Sequence, residues 1–434
     1  MIIMTDLITP NRSDSLETWL AYLEKSHFKP IDMGLERIKS VAAELDLLNP
    51  APYVITVAGT NGKGSTCRFL EVALLKAGLT VGVYSSPHLI RYNERVRING
   101  EVLADHFHIQ SFADINEKKT ASLTYFEFST LSALQLFKNA KLDVVILEVG
   151  LGGRLDATNI VDPHLAVITS IDIDHVAFLG DNREDIGREK AGIFREHIPV
   201  VIGEPDCPNS ILTYAKQLQC HVMQRDVDWH YSVKAERFSW KAADQQFVDL
   251  PMPLIPIPNA GTAIAALTQL PFNMSEQIIR ETLSEAQMTG RFQTLAASDF
   301  AQFSGIMPKA KVIIDVGHNP HAARYLAERL QAVKKGKIFA IFSCLEDKEL
   351  SGIVEPLDNL IDEWFCVGLD CWRGQSGEAV FEKLVKSLPN ATACAYENIA
   401  QATPIAFNQA KEQDIVLVFG SFHTVADFVI WLNQ

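Results

Sequence analysis

The apolar positions of this chain follow two periods, one typical of helices and one typical of buried strands. Within residues 13–48, the segments SLETWLAYLEKSHF and GLERIKSVAAELDLL carry apolar residues at helical spacing and predict two helices. The short apolar runs YVITVA, TVGVYSS, DVVILEVG and HLAVITSI predict strands, with the helical segments STCRFLEVALLKAG and TYFEFSTLSALQLFKNA between some of them. Apolar strands that alternate with helices predict an α/β fold, with a mostly parallel sheet covered on both faces.

The pattern changes twice further along. WHYSVKAERFSW alternates polar and apolar residues, which predicts antiparallel strands at a domain rim. The proline-rich stretch PMPLIPIPNAG is expected to stay extended until after Pro258 and then to begin a helix. Periodicity is weak in LAASDFAQFSGIMPKA, and the strand-helix pattern then restarts. We therefore predict two domains, residues 1–297 and a smaller Rossmann-like α/β domain over residues 306–434.

Charge and cysteine usage narrow the class of protein. The 434 residues include 39 basic and 53 acidic side chains, giving a formal net charge of −14. Such a chain is a poor candidate for binding bare nucleic acid, which requires clustered lysine and arginine. The seven cysteines form no C-x-x-C pair, which argues against disulfides and zinc ribbons. No signal peptide or membrane-spanning apolar segment is recognisable, so we expect a cytoplasmic protein.

The stretch VITVAGTNGKGST contains an irregular glycine loop between a predicted strand and a predicted helix. It departs from the ordinary G-x-x-x-x-G-K-[ST] spacing, because its first gap is short and a glycine separates Lys63 from Ser65. The strand-loop-helix context still favours phosphate binding by backbone N–H groups and the helix dipole. Lys63 could bridge the β- and γ-phosphates, and Ser65 or Thr66 could bind Mg²⁺. The alternative is a glycine-rich turn with a surface lysine.

Other chemistry-bearing residues follow strand ends. Glu148 closes DVVILE and is either a metal ligand or a solvent-facing strand end. In TSIDIDHVAFLG three polar residues compete for one metal-binding role, which leaves His175 undecided at this stage. Lys190 in GREKAGIFR would be read from spacing alone as part of an exposed, mixed-charge helix face. Asp315 and His318 in DVGHNPHAA have the alternative of a turn followed by a helix cap.

Nine motifs in order resemble the dihydrofolate synthase/folylpolyglutamate synthase family, over roughly residues 15–430. They are VAGTNGKGST, YSSPHLIRYNERVRING, LTYFE, LEVGLGGRLDATN, TSIDIDH, GREKAGIF, PNAGTA, GRFQ and DVGHNPHA. That family belongs to the Mur-ligase-like superfamily of ATP-dependent amide ligases. The resemblance implies an N-terminal P-loop ATPase domain that also binds the pterin, a smaller C-terminal ligase domain, and ATP between them. It also implies that a pterin-linked carboxylate is phosphorylated and then attacked by the amine of L-glutamate, with release of ADP and phosphate.

The resemblance also assigns residues around the nucleotide. It implies that the phosphates are held by Thr60, Asn61, Gly62 and Lys63, and that other nucleotide contacts come from Asn259, Arg291 and Asp315. It places Mg²⁺ on Ser86, Glu148 and His175, and allows a second magnesium ion and a K⁺ ion. Lys63, Lys190 and His318 are the implied catalytic residues, and Lys190 matches a lysine that the family carbamylates.

The implied acceptor site draws on three segments. They are Lys25, Ser26, His27 and Phe28; Thr124, Tyr125, Phe126 and Glu127; and Leu155, Asp156 and Ala157. An aromatic face and a carboxylate suit a planar pterin with ring N–H donors, although Thr124–Glu127 could instead be only a core-facing helix start.

The N-terminal segment and LTYFE resemble the bifunctional bacterial members, so both activities are expected, with dihydropteroate, reduced folates and L-glutamate as substrates. We expect a monomer that binds neither nucleic acid nor membrane. Three alternatives stay open: folylpolyglutamate synthesis alone, a Mur-type ligase acting on a nucleotide-linked sugar, and a regulatory P-loop switch. The switch is disfavoured because the guanine-reading N-K-x-D motif is missing from the sequence.

Overall fold

The computed structural model describes residues 8–29 and 31–434. The chain forms two compact units that divide between Gln287 and Met288. The interval expected to separate the domains, residues 298–305, lies within the second unit. The short strand Gln293–Thr294 also belongs to that unit, because it pairs antiparallel with Lys311–Asp315.

The first unit is built on an eight-stranded, mainly parallel sheet. Its strands are β1 Tyr53–Ala58, β2 Val81–Tyr84, β3 Val96–Ile98, β4 Glu101–Val102, β5 Val144–Glu148, β6 Leu165–Ile168, β7 Pro199–Ile202 and β8 His221–Gln224. The strand order is β4-β3-β2-β5-β1-β6-β7-β8, and only the β2–β3 and β3–β4 pairs are antiparallel. The alternating sequence after β8 forms the predicted antiparallel sheet, of strands β9 Trp229–Lys234, β10 Arg237–Ala242 and β11 Gln246–Leu250.

Helices cover both faces of the large sheet, as near-continuous apolar strands require. They are α1 Leu16–Lys25, α2 Glu36–Glu44, α3 Lys63–Lys76, α4 Asp105–Lys118, α5 Tyr125–Ala140, α6 Val176–Leu179, α7 Arg183–Ala191, α8 Asn209–Gln217, α9 Ile257–Thr268 and α10 Glu276–Glu285. Short 3₁₀ helices span Tyr92–Arg95 and Ala157–Ile160. Along β1, Val54 packs into the core under α1, α2, α4 and α5, whereas Ile55 and Val57 pack into the core under α3, α9 and α10.

Two helix ends differ from the sequence-based expectation. The first helix was expected to run through Phe28, but α1 ends at Lys25, because the Ser26 N–H and hydroxyl both turn back to the Leu23 carbonyl. Helix α9 begins at Ile257, before Pro258 rather than after it. Proline is tolerated in a first helical turn because the N–H that it lacks would have no intrahelical partner there.

The second unit repeats the strand-helix alternation around a six-stranded sheet. Its strands are β12 Gln293–Thr294, β13 Lys311–Asp315, β14 Ile338–Phe342, β15 Glu363–Val367, β16 Ala393–Tyr396 and β17 Ile415–Phe419, in the order β12-β13-β17-β14-β15-β16. All pairs except β12–β13 are parallel. The helices are α11 Pro320–Val333, α12 Leu350–Val354, α13 Gly377–Ser387, α14 Ile399–Gln409 and α15 Phe422–Leu432, with 3₁₀ turns at Ala297–Phe300 and Glu355–Leu357. Among the described residues, no helix is both long and apolar enough to cross a membrane.

Candidate active site

The glycine loop joins β1 to the N-terminus of α3, as its sequence context predicts. Gly62 caps the helix with φ +86°, and Gly59 has φ +150°. A Cβ atom at Gly59 would lie 1.8 Å from the Thr169 hydroxyl oxygen, and one at Gly62 would lie 2.3 Å from the Asn259 amide oxygen. Neither position accepts a side chain, because space and backbone conformation both exclude it. Asn259, which the resemblance assigns to the nucleotide, therefore lies directly against this loop.

Residues that follow β6 hold the loop in place. The Thr60 N–H donates to the Ser170 carbonyl at 2.8 Å, and the Thr60 hydroxyl donates to the Asp172 carbonyl at 3.0 Å. The Asn61 N–H donates to the Ser170 hydroxyl at 3.0 Å, and the Thr169 hydroxyl donates to the Asn61 carbonyl at 2.7 Å. Sequence reasoning gave Thr169 and Ser170 no role, although their position just after a buried strand was the available signal.

Two lysines converge on one carbonyl of this loop. The Lys63 Nζ donates to the Gly59 carbonyl at 3.0 Å and to the Thr60 carbonyl at 3.3 Å. The Lys190 Nζ reaches the same Gly59 carbonyl at 3.0 Å from helix α7. Lys190 is only 4% exposed, so the alternative of an exposed helix face is wrong. Burial, reinforced by the nearby Lys63 cation, lowers the pKa of Lys190 to about 7.

Glu148 and Ser86 meet at the ends of two neighbouring strands. Glu148 ends β5 and is 4% exposed, so it is not a solvent-facing strand end. Its Oε2 accepts a hydrogen bond from the Ser86 N–H at 3.3 Å. A carboxylate and a hydroxyl are hard oxygen donors of the kind that Mg²⁺ or Mn²⁺ prefers, so the side chains of these two residues fit the ion.

His175 lies after β6, where the chain enters α6. Its backbone is left-handed, with φ +52°, and its side chain is 46% exposed. The Nε2 atom lies 4.0 Å from an Asp174 carboxylate oxygen. Imidazole is a softer donor than a carboxylate and suits Mn²⁺ less well than oxygen does. In the described part of the chain, no three His, Cys, Asp or Glu side chains are grouped to share an ion.

The polar side chains at the start of α5 stabilise the helix itself. Thr124 is the N-cap: its hydroxyl accepts from the Glu127 N–H, and a Glu127 carboxylate oxygen accepts from the Thr124 N–H at 2.7 Å. Glu127 also accepts from Arg37 Nη2 at 2.8 Å. The Glu127 carboxylate is therefore engaged in a capping box and an ion pair, which sequence reasoning did not anticipate. Phe126 packs over Gly150, and Tyr125 is partly exposed.

Asp156 organises the loop that follows β5. One carboxylate oxygen accepts from the Gly150 and Leu151 N–H groups at 3.0 and 2.8 Å, and the other accepts from the Thr158 N–H and hydroxyl. Burial raises the pKa of Asp156, although these hydrogen bonds oppose that shift. Of its neighbours, Leu155 is partly exposed and Ala157 is buried.

The remaining predicted acceptor segment follows the end of α1. The His27 ring is buried between the Ser122 hydroxyl, 3.1 Å away, and an Asp32 carboxylate oxygen, 3.3 Å away. Phe28 is 72% exposed, Lys25 is exposed at the helix end, and Ser26 is partly buried. Phe28 therefore offers the ring of this segment that a ligand can reach.

In the second unit, three predicted residues lie near the end of β13. The Asp315 carboxylate accepts from the Phe292 N–H and the Gly317 N–H, both at 2.7 Å, and burial raises its pKa. The Arg291 guanidinium lies 5.4 Å from the Phe422 ring, and the His318 ring lies 6.1 Å from the same ring. The Phe422 ring thus brings Arg291 and His318 together. The alternative of a turn followed by a helix cap is also seen, because Asp315 accepts from the Gly317 N–H within the turn and the Asn319 side chain caps α11.

A mainly parallel sheet with a glycine loop and convergent lysines, followed by a second α/β unit, is the arrangement expected of an ATP-dependent ligase of the Mur type. Two family models agree with this class: "Mur ligase middle domain" matches residues 57–267, and "Mur ligase, glutamate ligase domain" matches residues 290–422.

Individual relatives specify the family within this class. The dihydrofolate synthase/folylpolyglutamate synthases of Haemophilus influenzae and Escherichia coli are 58% and 50% identical to this chain, covering 95% and 96% of it and 96% of each relative. The structure of E. coli FolC in complex with DHPP and ADP matches with a TM-score of 0.91 and 49% identity, over 96% of this chain and 97% of that one. A bifunctional enzyme with Mn, AMPPNP and L-glutamate bound matches with a TM-score of 0.90 and 49% identity, over 98% and 100%. The chain belongs to the dihydrofolate synthase/folylpolyglutamate synthase family.

Proposed function

We propose that this chain joins L-glutamate both to dihydropteroate and to reduced folates, with ATP and a divalent metal as cofactors. The observation that carries the chemistry is the convergence of Lys63 and Lys190 on the Gly59 carbonyl, at the N-terminus of α3. Two anions, a carboxylate and a triphosphate, must approach each other in this reaction. The Lys63 cation and the helix N–H groups, held in one place, offset their repulsion.

The reaction has two steps. A carboxylate oxygen of the acceptor attacks the γ-phosphorus of ATP, and the bond to the β-phosphate oxygen breaks, giving an acyl phosphate and ADP. The unprotonated amine of L-glutamate then attacks the acyl carbon to form a tetrahedral intermediate. Inorganic phosphate leaves with the electrons of the C–O bond, and the nitrogen loses a proton to give the amide. Phosphorylation is needed because a carboxylate otherwise has only oxide as its leaving group.

The glycine loop supplies the phosphate grip. We assign phosphate binding to Thr60, Asn61, Gly62 and Lys63, with Asn259 fixing the loop from the side through its contact with Gly62. Lys63 extends back over the loop, and we assign its cation to the phosphates. In the second unit we assign nucleotide contacts to Arg291 and Asp315, and a position near the phosphates to His318.

Lys190 has the environment that carbamylation requires. The modification needs a neutral amine, and a pKa of about 7 leaves a substantial neutral fraction near neutral pH. We assign the metal to Ser86, Glu148 and His175, where the bound ion would neutralise charge on the transferring phosphoryl group. We assign the acceptor to Lys25–Phe28, Thr124–Glu127 and Leu155–Ala157.

Oxygen transfer tests the acyl phosphate directly. The purified protein is incubated with ATP, Mg²⁺, L-glutamate and dihydropteroate whose carboxylate carries oxygen-18. One labelled oxygen is expected in the inorganic phosphate, because the bond that breaks in the second step joins the acyl carbon to an oxygen from the acid. Unlabelled phosphate would refute the acyl phosphate mechanism.

Substrate choice separates the remaining alternatives. ADP release is measured with dihydropteroate and with tetrahydrofolate in separate reactions, and both are expected to stimulate it. Stimulation by tetrahydrofolate alone would leave only chain extension. Stimulation by a UDP-muramoyl compound, and by neither pterin, would assign the chain to the peptidoglycan ligases.

We also propose that the protein acts as a cytoplasmic monomer without nucleic acid or membrane partners. The net charge of −14 argues against a nucleic-acid partner, and the unpatterned cysteines are typical of a reducing compartment. Analytical ultracentrifugation of the purified chain tests the oligomeric state.

A further inference from the structure

Arg95 is a buried cation that pairs with no acid among the described residues. It ends the 3₁₀ helix Tyr92–Arg95 and is 8% exposed. Its Nε donates to the His88 Nδ1 at 2.9 Å, and within residues 8–29 and 31–434 this is its one side-chain hydrogen bond. Over the same residues no carboxylate lies within ion-pairing distance of it. Arginine stays protonated in proteins, and buried charges are normally paired, so this arrangement requires a reason.

Aromatic rings hold the guanidinium in place. Its central carbon lies 5.5 Å from the centre of the Tyr125 ring and 5.9 Å from that of Tyr92. Such contacts attract a cation and orient it, but they leave N–H donors unsatisfied. The two Nη groups make no hydrogen bond among the described residues, and neither is sealed from solvent. Two parallel donors on a rigid, oriented fork match a carboxylate.

The buried Asp156 carboxylate, an acid near Tyr84, is already engaged by other groups. Asp156 and Arg95 both act on the Tyr84 hydroxyl, where the positive charge of Arg95 opposes an increase in pKa that burial and Asp156 cause. The four hydrogen bonds to Asp156 use both of its oxygens on the loop after β5. Asp156 therefore accepts hydrogen bonds from the loop and does not pair with the guanidinium of Arg95.

The position of Arg95 ties it to the reaction centre. Its carbonyl accepts from the Ser85 N–H at 2.9 Å, and Ser85 immediately precedes Ser86, whose N–H donates to Glu148. Its side chain lies over Tyr125, in one of the segments assigned to the acceptor. A carboxylate bound by Arg95 would lie between the acceptor segments and the residues assigned to the metal.

We infer that Arg95 binds a carboxylate of the acceptor substrate, through its two Nη groups. This inference rests on the proposed function and adds a substrate-binding residue to it. L-Glutamate offers the same chemistry, so the experiment must separate the two sources. Dihydropteroate and folates must also be compared, because a folate carries an additional carboxylate.

Steady-state kinetics of Arg95→Gln, Arg95→Lys and wild type provide the test, with dihydropteroate, tetrahydrofolate, L-glutamate and ATP varied in turn. Loss of a charge-assisted pair predicts a KM for the acceptor at least about tenfold higher in Arg95→Gln, with the KM for ATP within twofold of wild type. Arg95→Lys is expected to recover part of the affinity, because it keeps the charge but not the fork. The matched control is Arg91→Gln, an exposed arginine of the same segment that pairs with Asp105.

Binding measurements exclude a purely structural effect. The Kd of pteroate is expected to rise in Arg95→Gln, whereas that of 6-hydroxymethylpterin, which lacks a carboxylate, is expected to stay constant. A rise in the KM for tetrahydrofolate alone would assign the guanidinium to the additional carboxylate of folates. A rise confined to L-glutamate, or an unchanged KM for every substrate with a lowered melting temperature, would overturn the inference. Inactive wild-type protein in the same assay would instead refute the proposed function.

Discussion

The buried ammonium of Lys190 predicts a specific dependence of stability on pH. Its pKa is 10.5 in an unfolded chain and about 7 in the folded protein. Between those values the unfolded state binds more protons, so the free energy of unfolding rises with pH and is lowest below about pH 7. At 1.36 kcal/mol for each pKa unit, burial of Lys190 costs about 4 kcal/mol at pH 7 and about 2 kcal/mol at pH 9. A Lys190→Met variant removes both costs.

The expected result is therefore a difference in the free energy of unfolding between variant and wild type that itself changes with pH. Relative to wild type, Lys190→Met is stabilised by about 2 kcal/mol more at pH 7 than at pH 9, while ligase activity is lost. Because two units need not unfold together, hydrogen exchange in peptides covering α7 reports the first unit separately. The buffers are kept free of CO₂ so that the amine stays unmodified. Lys216→Met, at an exposed position of α8, is the control. Equal pH slopes for wild type and Lys190→Met would refute the reasoning.

Three further predictions concern the same unit. Gly62→Ala is expected to raise the KM for ATP at least tenfold, because its Cβ would collide with Asn259. The control is Gly78→Ala, which has a similar φ of +84° but open space around it and should leave that KM unchanged. Asp156→Asn is expected to destabilise the protein by about 1–3 kcal/mol in thermal unfolding, because an amide NH₂ would face N–H donors; an unchanged melting temperature would contradict this account. Glu148→Gln is expected to raise the Mg²⁺ concentration for half-maximal rate at least tenfold, whereas an unaltered Mg²⁺ titration would remove Glu148 from the metal site.

Much of the fold is written locally in the sequence. The apolar runs that became β1, β2, β5 and β6 and the alternation that became β9 and β10 depend on neighbours two to four residues away, so periodicity reveals them. The glycine loop was recognisable for the same reason: a strand, a glycine-rich loop and a helix follow one another directly. The ends of α1 and α9 were less accessible, because single capping contacts and first-turn tolerance of proline decide them.

The tertiary structure decided which polar side chains are buried and which groups they contact. Arg188 and Lys190 are two cations in one helix, and spacing does not distinguish them. Arg188 is exposed and pairs with Asp185, whereas Lys190 is buried against the Gly59 carbonyl of a loop 131 residues earlier in the chain. Glu127 is likewise engaged by Arg37, 90 residues away, and Arg95 is enclosed by rings from two elements. Local pattern fixes the elements, but the electrostatics of a site come from neighbours that only folding brings together.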